Sequence, residues 1–339
     1  PRVDYTDGTS SLLVEPQRRN LLEYSESISN LSSNTNGTGT FTITDNYTDS
    51  PQGVQNASRV QMSIVDTDDT NNYRLINTGS VMTTGVTREI SFYAKSLTGS
   101  NQDVLVYWSY DQQIVTLTND WQRFKISATS GNTGSIFIGT RGGSGNYFSG
   151  GDGNLDFALW GLQVEDDGSG GGSSYATSYI KTSGGTVTRV QETYTKTGIS
   201  DKINSEEGVL FLEVAALSDD LTYRQISLSD GTSNNRIYLQ YNATSNNIAA
   251  VVKVGGSTTA YTSKTLSSSN ITDFNKIGFK WKLNDFALWI NGVEVSIDTS
   301  GGVPTGLNEF TFNQTSSDFY GKVKQLQIFK TALSDSELA

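Results

Sequence analysis

FKWKLNDFALWINGVEVSI, residues 279–297, decides the fold class. Phe279 and Trp281 alternate with lysines, and Ala287 and Trp289 repeat the period of two. That period marks strands with one face buried against a core. Asn291-Gly292 stands between LWI and VEVSI. Both residues accept φ > 0, so the pair reads as the two-residue turn of a β-hairpin.

The pattern continues outward in both directions. GVLFLEVAAL (208–217), YRQISLS (223–229), NRIYLQYN (235–242) and NIAAVVKV (247–254) precede the hairpin, and FYGKVKQLQIF (319–329) follows it. Ser334 with Glu337 three residues on has the spacing of a capping box, so a short helix begins there. A second series lies upstream: TREISFYAKS (87–96), VLVYWSY (104–110), WQRFKISAT (121–129), SIFIGT (135–140) and LDFALWGLQVE (155–165). Clusters of Asn, Gly, Ser and Asp separate these runs, at the spacing expected of a sandwich. The expected fold is all-β: two tandem antiparallel β-sandwiches and a short C-terminal helix. The expected divisions are an extended lead-in at 1–19, a first sandwich at 20–165, a Gly/Ser-rich connector with an extended segment at 166–205, and a second sandwich at 206–339.

Composition narrows the chemistry. The 339 residues include neither cysteine nor histidine. Disulfides, thiolate nucleophiles, Ser-His-Asp triads and imidazole metal ligands are therefore excluded. Carboxylate-only glycoside hydrolysis and oxygen-ligand calcium sites survive. The net charge of −11 disfavours a nucleic-acid partner. No apolar run is long enough for a membrane span. The chain opens inside what reads as a linker, so a piece of a longer protein is expected.

Several segments resemble known families. PRVDYTDGTSSLLVEPQRRNLLEYSE (1–26) resembles a lead-in of phage virion fibre or spike proteins and related marine bacterial proteins. WQRFKISAT, LWGLQVE and TSYIKTSGGTVTR resemble signposts of carbohydrate-binding-module-like jelly rolls. FKWKLNDFALWINGVEV and YGKVKQLQIFKTALSDSELA (320–339) are similar to the central hairpin and the final strand and helix of laminin-G or concanavalin-A-like lectin domains. The resemblance implies a jelly roll followed by a laminin-G/concanavalin-A-like sandwich. It also implies an extracellular, virion-surface display or binding role: a fibre, spike or decoration protein. Its partners would be cell-surface or marine polysaccharide glycans and other virion proteins, and a homo-oligomer, with a trimer favoured, is expected. The other placement is the glycan-binding region of a secreted or cell-surface bacterial adhesin or polysaccharide-degrading system. The glucanases of the superfamily carry a Glu-rich strand. FKWKLNDFALWI has only Asp285, so no enzyme activity is expected.

Trp108, with Tyr107 and Tyr110, is the candidate sugar platform, because aromatic faces suit the C–H faces of pyranose rings. Trp108 shares its face with Val104 and Val106, so a place in the core is the other reading. Trp121, Trp160, Trp281 and Trp289 are read as core anchors. The loop GGSGNYFSGGDGNLDF (142–157) adds Tyr147 to the glycan candidates. No cofactor is required, but Asp152, Asn154 and Asp156 offer hard oxygen donors at short spacing for a structural Ca²⁺. A plain hairpin loop is the alternative there. Asp66, Asp68, Asp69 and Asp219-Asp220 are further acidic clusters with solvated loops as their default reading.

Overall fold

The structure is a computed structural model that describes residues 2–5, 8–109, 111–143, 149–313 and 317–339. The chain folds into two units. The first is Gln17–Val190, and the second joins Pro1–Pro16 to Gln191–Ala339. Antiparallel sheets dominate both, and the described residues include no helix long and apolar enough to cross a membrane.

In the first unit one sheet has five strands, in the spatial order Asp111–Leu117, Gln102–Trp108, Ile136–Arg141, Tyr73–Asn77 and Ser32–Asn36. The opposing sheet is built on the long strand Asn154–Asp166. Thr87–Ser96 pairs with one side of it, and Gln122–Thr129 pairs beyond that. Gln55–Ser63 and Arg18–Asn20 share its other side. The chain crosses between the sheets repeatedly, as a jelly-roll sandwich does. Val104, Val106 and Trp108 from one sheet meet Ile90, Phe92, Ala94, Phe157 and Leu159 from the other in a buried core.

A bulge resets the long strand. Its register against Thr87–Ser96 shifts between Trp160 and Gln163, and Gly161 there has φ +64. One extra residue inverts the alternation. Leu155, Phe157 and Leu159 face the core before it, and Leu162 and Val164 after it. Trp160, one residue past Leu159 and still in the phase before the bulge, faces away from the core expected for it. It packs on the outer face between Tyr93 and Tyr179, with ring centroids 5.4 and 4.5 Å away.

The second unit is a seven-stranded sheet facing a six-stranded one. Phe279 and Trp281 are fully buried between them. The hairpin turn forms as its sequence requires: Asn291 has φ 52, Gly292 has φ 79, and Ile290 pairs with Val293. Trp289 faces away from Trp281, beside Gly278 on the outer side of the seven-stranded sheet. The one-turn helix Asp335–Leu338 follows, and the Ser334 backbone N–H donates to Glu337 Oε2 at 2.8 Å.

The division of the chain differs from the expected 1–19 lead-in and 166–205 connector. Arg2–Asp4 is the edge strand of the second unit's seven-stranded sheet and Ser11–Val14 the strand beside it, with Leu12 paired to Val323. Arg18–Asn20 already belongs to the first unit. Residues 166–190 lie on the first unit as a strap, and Val187–Arg189 pairs with Arg18–Asn20. Thr195–Thr197 is a strand of the second unit's six-stranded sheet. These pairings satisfy backbone groups that a free linker would leave to water.

Candidate functional site

Strand alternation gives the five-stranded sheet of the first unit an outer face. Val104, Val106 and Trp108 point inward, so Leu105 and Tyr107 point outward. Ile136 and Ile138 point inward, so Phe137 points outward. Cross-strand registers align Gln112, Tyr107, Phe137, Asn77 and Ser32 in one row across the face. Tyr107 and Phe137 stack with centroids 4.7 Å apart and planes 19° apart. Both rings are half-buried, forming an apolar ledge on an otherwise polar row.

Polar groups surround the ledge. Arg141 hydrogen-bonds the Tyr107 hydroxyl and lies 5.3 Å over the Tyr73 ring, while its Nε donates to the Thr70 carbonyl at 2.8 Å. Burial raises the Tyr107 phenol above its ordinary pKa, and Arg141 opposes that shift. Tyr107 is therefore a neutral donor at physiological pH. Gln112 Nε2 donates to the Ser149 carbonyl at 3.2 Å, but buried Gln112 Oε1 has no hydrogen-bond partner among the described residues. Asn77 Nδ2 donates to Asn34 Oδ1 at 3.2 Å. Beyond Asn77 and Ser32 the row opens into a cavity of about 300 Å³, which Glu23, Tyr24 and Asn30 also line. That is the lower end of the size range for small-ligand pockets.

The four aromatic candidates separate. Tyr107 lies on the ledge. Tyr110 and Tyr147 lie outside the described residues. Trp108 corrects the expected platform: it is 4% exposed and sits in the core, because it continues the inward face of Val104 and Val106. Phe137, Tyr73, Arg141 and Asn77 were not picked out from the sequence. SIFIGT held a signal for Phe137, since two flanking isoleucines that face inward leave the Phe facing out.

The proposed calcium donors engage groups of the protein. Asp152 Oδ2 accepts the Asp103 backbone N–H at 3.0 Å. Asn154 begins the long strand, and its carbonyl accepts from Gln102 Nε2. Asp156 forms a two-point ion pair with Arg59, Nε to Oδ1 at 2.8 Å and Nη2 to Oδ2 at 2.5 Å. No group of three His, Cys, Asp or Glu suited to a metal ion occurs among the described residues. Asp66 Oδ1 accepts the Asp68 and Asp69 N–H groups in a turn. Asp219 Oδ2 accepts from Ser245 and Asn246, and Asp220 pairs with Arg224 at 2.7 Å.

One pair of carboxylates is directly opposed across strands. Glu89 and Glu165 are register partners on the outer face of the other sheet, 2% and 0% exposed. Glu165 accepts from the N–H and hydroxyl of Thr177 in the strap, and Glu89 accepts from the Ser127 hydroxyl. Burial raises the pKa of both. They have the residue type for acid–base work, but both are buried, and Glu165 is held by the strap.

No protein-family model matches this chain, and no curated protein matches it as a relative. Solved structures resemble it in part. Sheep galectin-11 in complex with glycerol matches at 8% identity over 41% of this chain and 99% of its own, with a TM-score of 0.29. Domains LG4-5 of the mouse laminin α1 chain match at 9% identity over 74% of this chain and 85% of their own, with a TM-score of 0.30. The N-terminal CBM22-1-CBM22-2 tandem domain of Paenibacillus barcinonensis Xyn10C matches at 13% identity over 92% of this chain and 98% of its own, with a TM-score of 0.30. The chain is an all-β protein of two antiparallel sandwiches.

Proposed function

We propose that the chain is a non-enzymatic glycan-binding protein. Its first unit would receive a sugar on the outer face of the five-stranded sheet. The observation that carries this reading is the half-exposed Tyr107–Phe137 stack, set in a row with Gln112 and Asn77 beside Arg141. A pyranose ring has an apolar C–H face and a rim of hydroxyls. The ledge matches the first, and the amides and guanidinium match the second. The burial of Glu89 and Glu165 supports binding over hydrolysis.

The lead-in's resemblance to phage fibre and spike proteins supports an extracellular role on a virion, in a homo-oligomer contacting other virion proteins. Electron microscopy of the native assembly tests that part: absence from any phage-like particle rejects it. A glycan array followed by titration of the best ligand tests the binding. Phe137→Ala is expected to weaken that ligand about tenfold, in line with an aromatic contact plus the apolar area it covers. Binding unchanged in a folded Phe137→Ala protein rejects the ledge as the site.

A further inference from the structure

The six-stranded sheet of the second unit also has an outer face, and a cation lies buried on it. Ile237, Leu239 and Tyr241 point into the core, so Arg236, Tyr238 and Gln240 point out. Arg236 is only 5% exposed. Its guanidinium lies 4.3 Å over the Tyr238 ring, and Nη1 donates to Gln225 Oε1 at 3.0 Å. Gln225 Nε2 in turn donates to Gln240 Oε1 at 3.0 Å. Among the described residues the buried Nε–H has no partner, and no carboxylate forms an ion pair with Arg236.

A second cation stands beside it. Lys253 is the register partner of Arg236 on the next strand, and so shares its face. It too has no ion pair among the described residues. Like charges directly opposed across strands are destabilising, and a buried guanidinium without a counter-charge is costly. Glu309 lies on the same face, but Ser229 stands between it and Arg236, and Glu309 Oε1 accepts from the Ser229 hydroxyl at 3.3 Å. The ring under Arg236 offsets only part of the cost. Tyr261 and Tyr223, each about half exposed, flank Tyr238.

From these observations we infer that the outer face of the six-stranded sheet is a second binding site, specific for an acidic polysaccharide. A sugar carboxylate or sulfate would lie against Arg236 and Lys253. The Gln225–Gln240 amide pair holds the guanidinium in place, and the exposed tyrosines supply surface for the sugar rings. The site is separate from the aromatic ledge of the first unit and does not rest on it. The chain as a whole carries −11, so affinity for a polyanion reports a local site and not a general attraction.

The test is calorimetric titration of the whole chain with alginate, dextran sulfate and neutral dextran. One or both polyanions are expected to bind, and dextran is not. Binding of alginate alone assigns a carboxylate, binding of dextran sulfate alone assigns a sulfate, and binding of both assigns a shared anion site. Arg236→Gln and the partly exposed Lys253→Gln are each expected to weaken binding about tenfold, the scale of one lost charge-assisted contact. Phe137→Ala is expected to leave it unchanged, which separates the two sites. The inference is overturned if neither polyanion binds, if dextran binds the Phe137→Ala protein equally well, or if folded Lys253→Gln binds like the parent protein.

Discussion

Replacing Glu89 with Gln isolates the energetics of the buried carboxylate pair. Glu89 is pushed up to about 6, first by burial, with the neighbouring Glu165 adding to the rise. The Ser127 hydroxyl, Lys125 and Arg18 pull the other way. Unfolded, the same group titrates at its ordinary value of 4.5. Between these values the folded chain holds a proton that the unfolded chain releases. Stability therefore falls as pH rises through the window, and the contribution is fully present only below it. One and a half pKa units correspond to about 2 kcal/mol, lost by about pH 7. Glu165 is raised as well, so its contribution has the same sign. Glutamine keeps a carbonyl to accept from Ser127 and carries no charge at any pH. Glu89→Gln should match the parent near pH 4 and exceed it by about 2 kcal/mol at pH 7.5. Hydrogen exchange of amides in Thr87–Ser96 and Asn154–Asp166 reads this locally, so the second unit does not enter the measurement. A variant with the parent's pH slope, or one less stable than the parent at pH 7.5, refutes the reasoning.

Two further outcomes follow from the same geometry. Trp108→Ala should destabilise the first unit by about 3–5 kcal/mol, the usual cost of emptying a buried aromatic site, read by urea denaturation. A stable Trp108→Ala protein that loses glycan binding would return Trp108 to the ligand face. Added calcium should leave the thermal midpoint unmoved, because Arg59 holds both Asp156 oxygens and the Asp103 N–H occupies Asp152 Oδ2. A midpoint that rises with calcium and falls with a chelator shows that a metal displaces those partners.

Alternation was legible wherever a strand kept its phase. Phe279 and Trp281, and Ile90, Phe92 and Ala94, face the cores as their period requires. Trp160 faces outward because it is out of phase with Phe157 and Leu159, and the bulge after it returns only Leu162 and Val164 to the core. The Gly161 in LWGLQ was the mark of that bulge. The partners of short strands were not legible at all. SLLV reads as a strand from its own residues, but its pairing with Gly321–Phe329, over three hundred positions away, leaves no local trace.

The candidate sites follow the same logic in reverse. Trp108 is the largest aromatic on its strand and so the most conspicuous binding candidate in the sequence. Burial favours that side chain for the core, which leaves the opposite face of the strand for a ligand. The outward residues between two core positions are what remain for a ligand: Phe137 between Ile136 and Ile138, and Tyr107 between Val106 and Trp108. Arg236 is harder to read, because NRIYLQYN shows only an ordinary strand with a charge at one end. Its importance depends on what its neighbours lack. A guanidinium opposite a lysine, with no carboxylate beside it among the described residues, becomes visible only when three successive strands and the remote Glu309–Thr311 lie side by side.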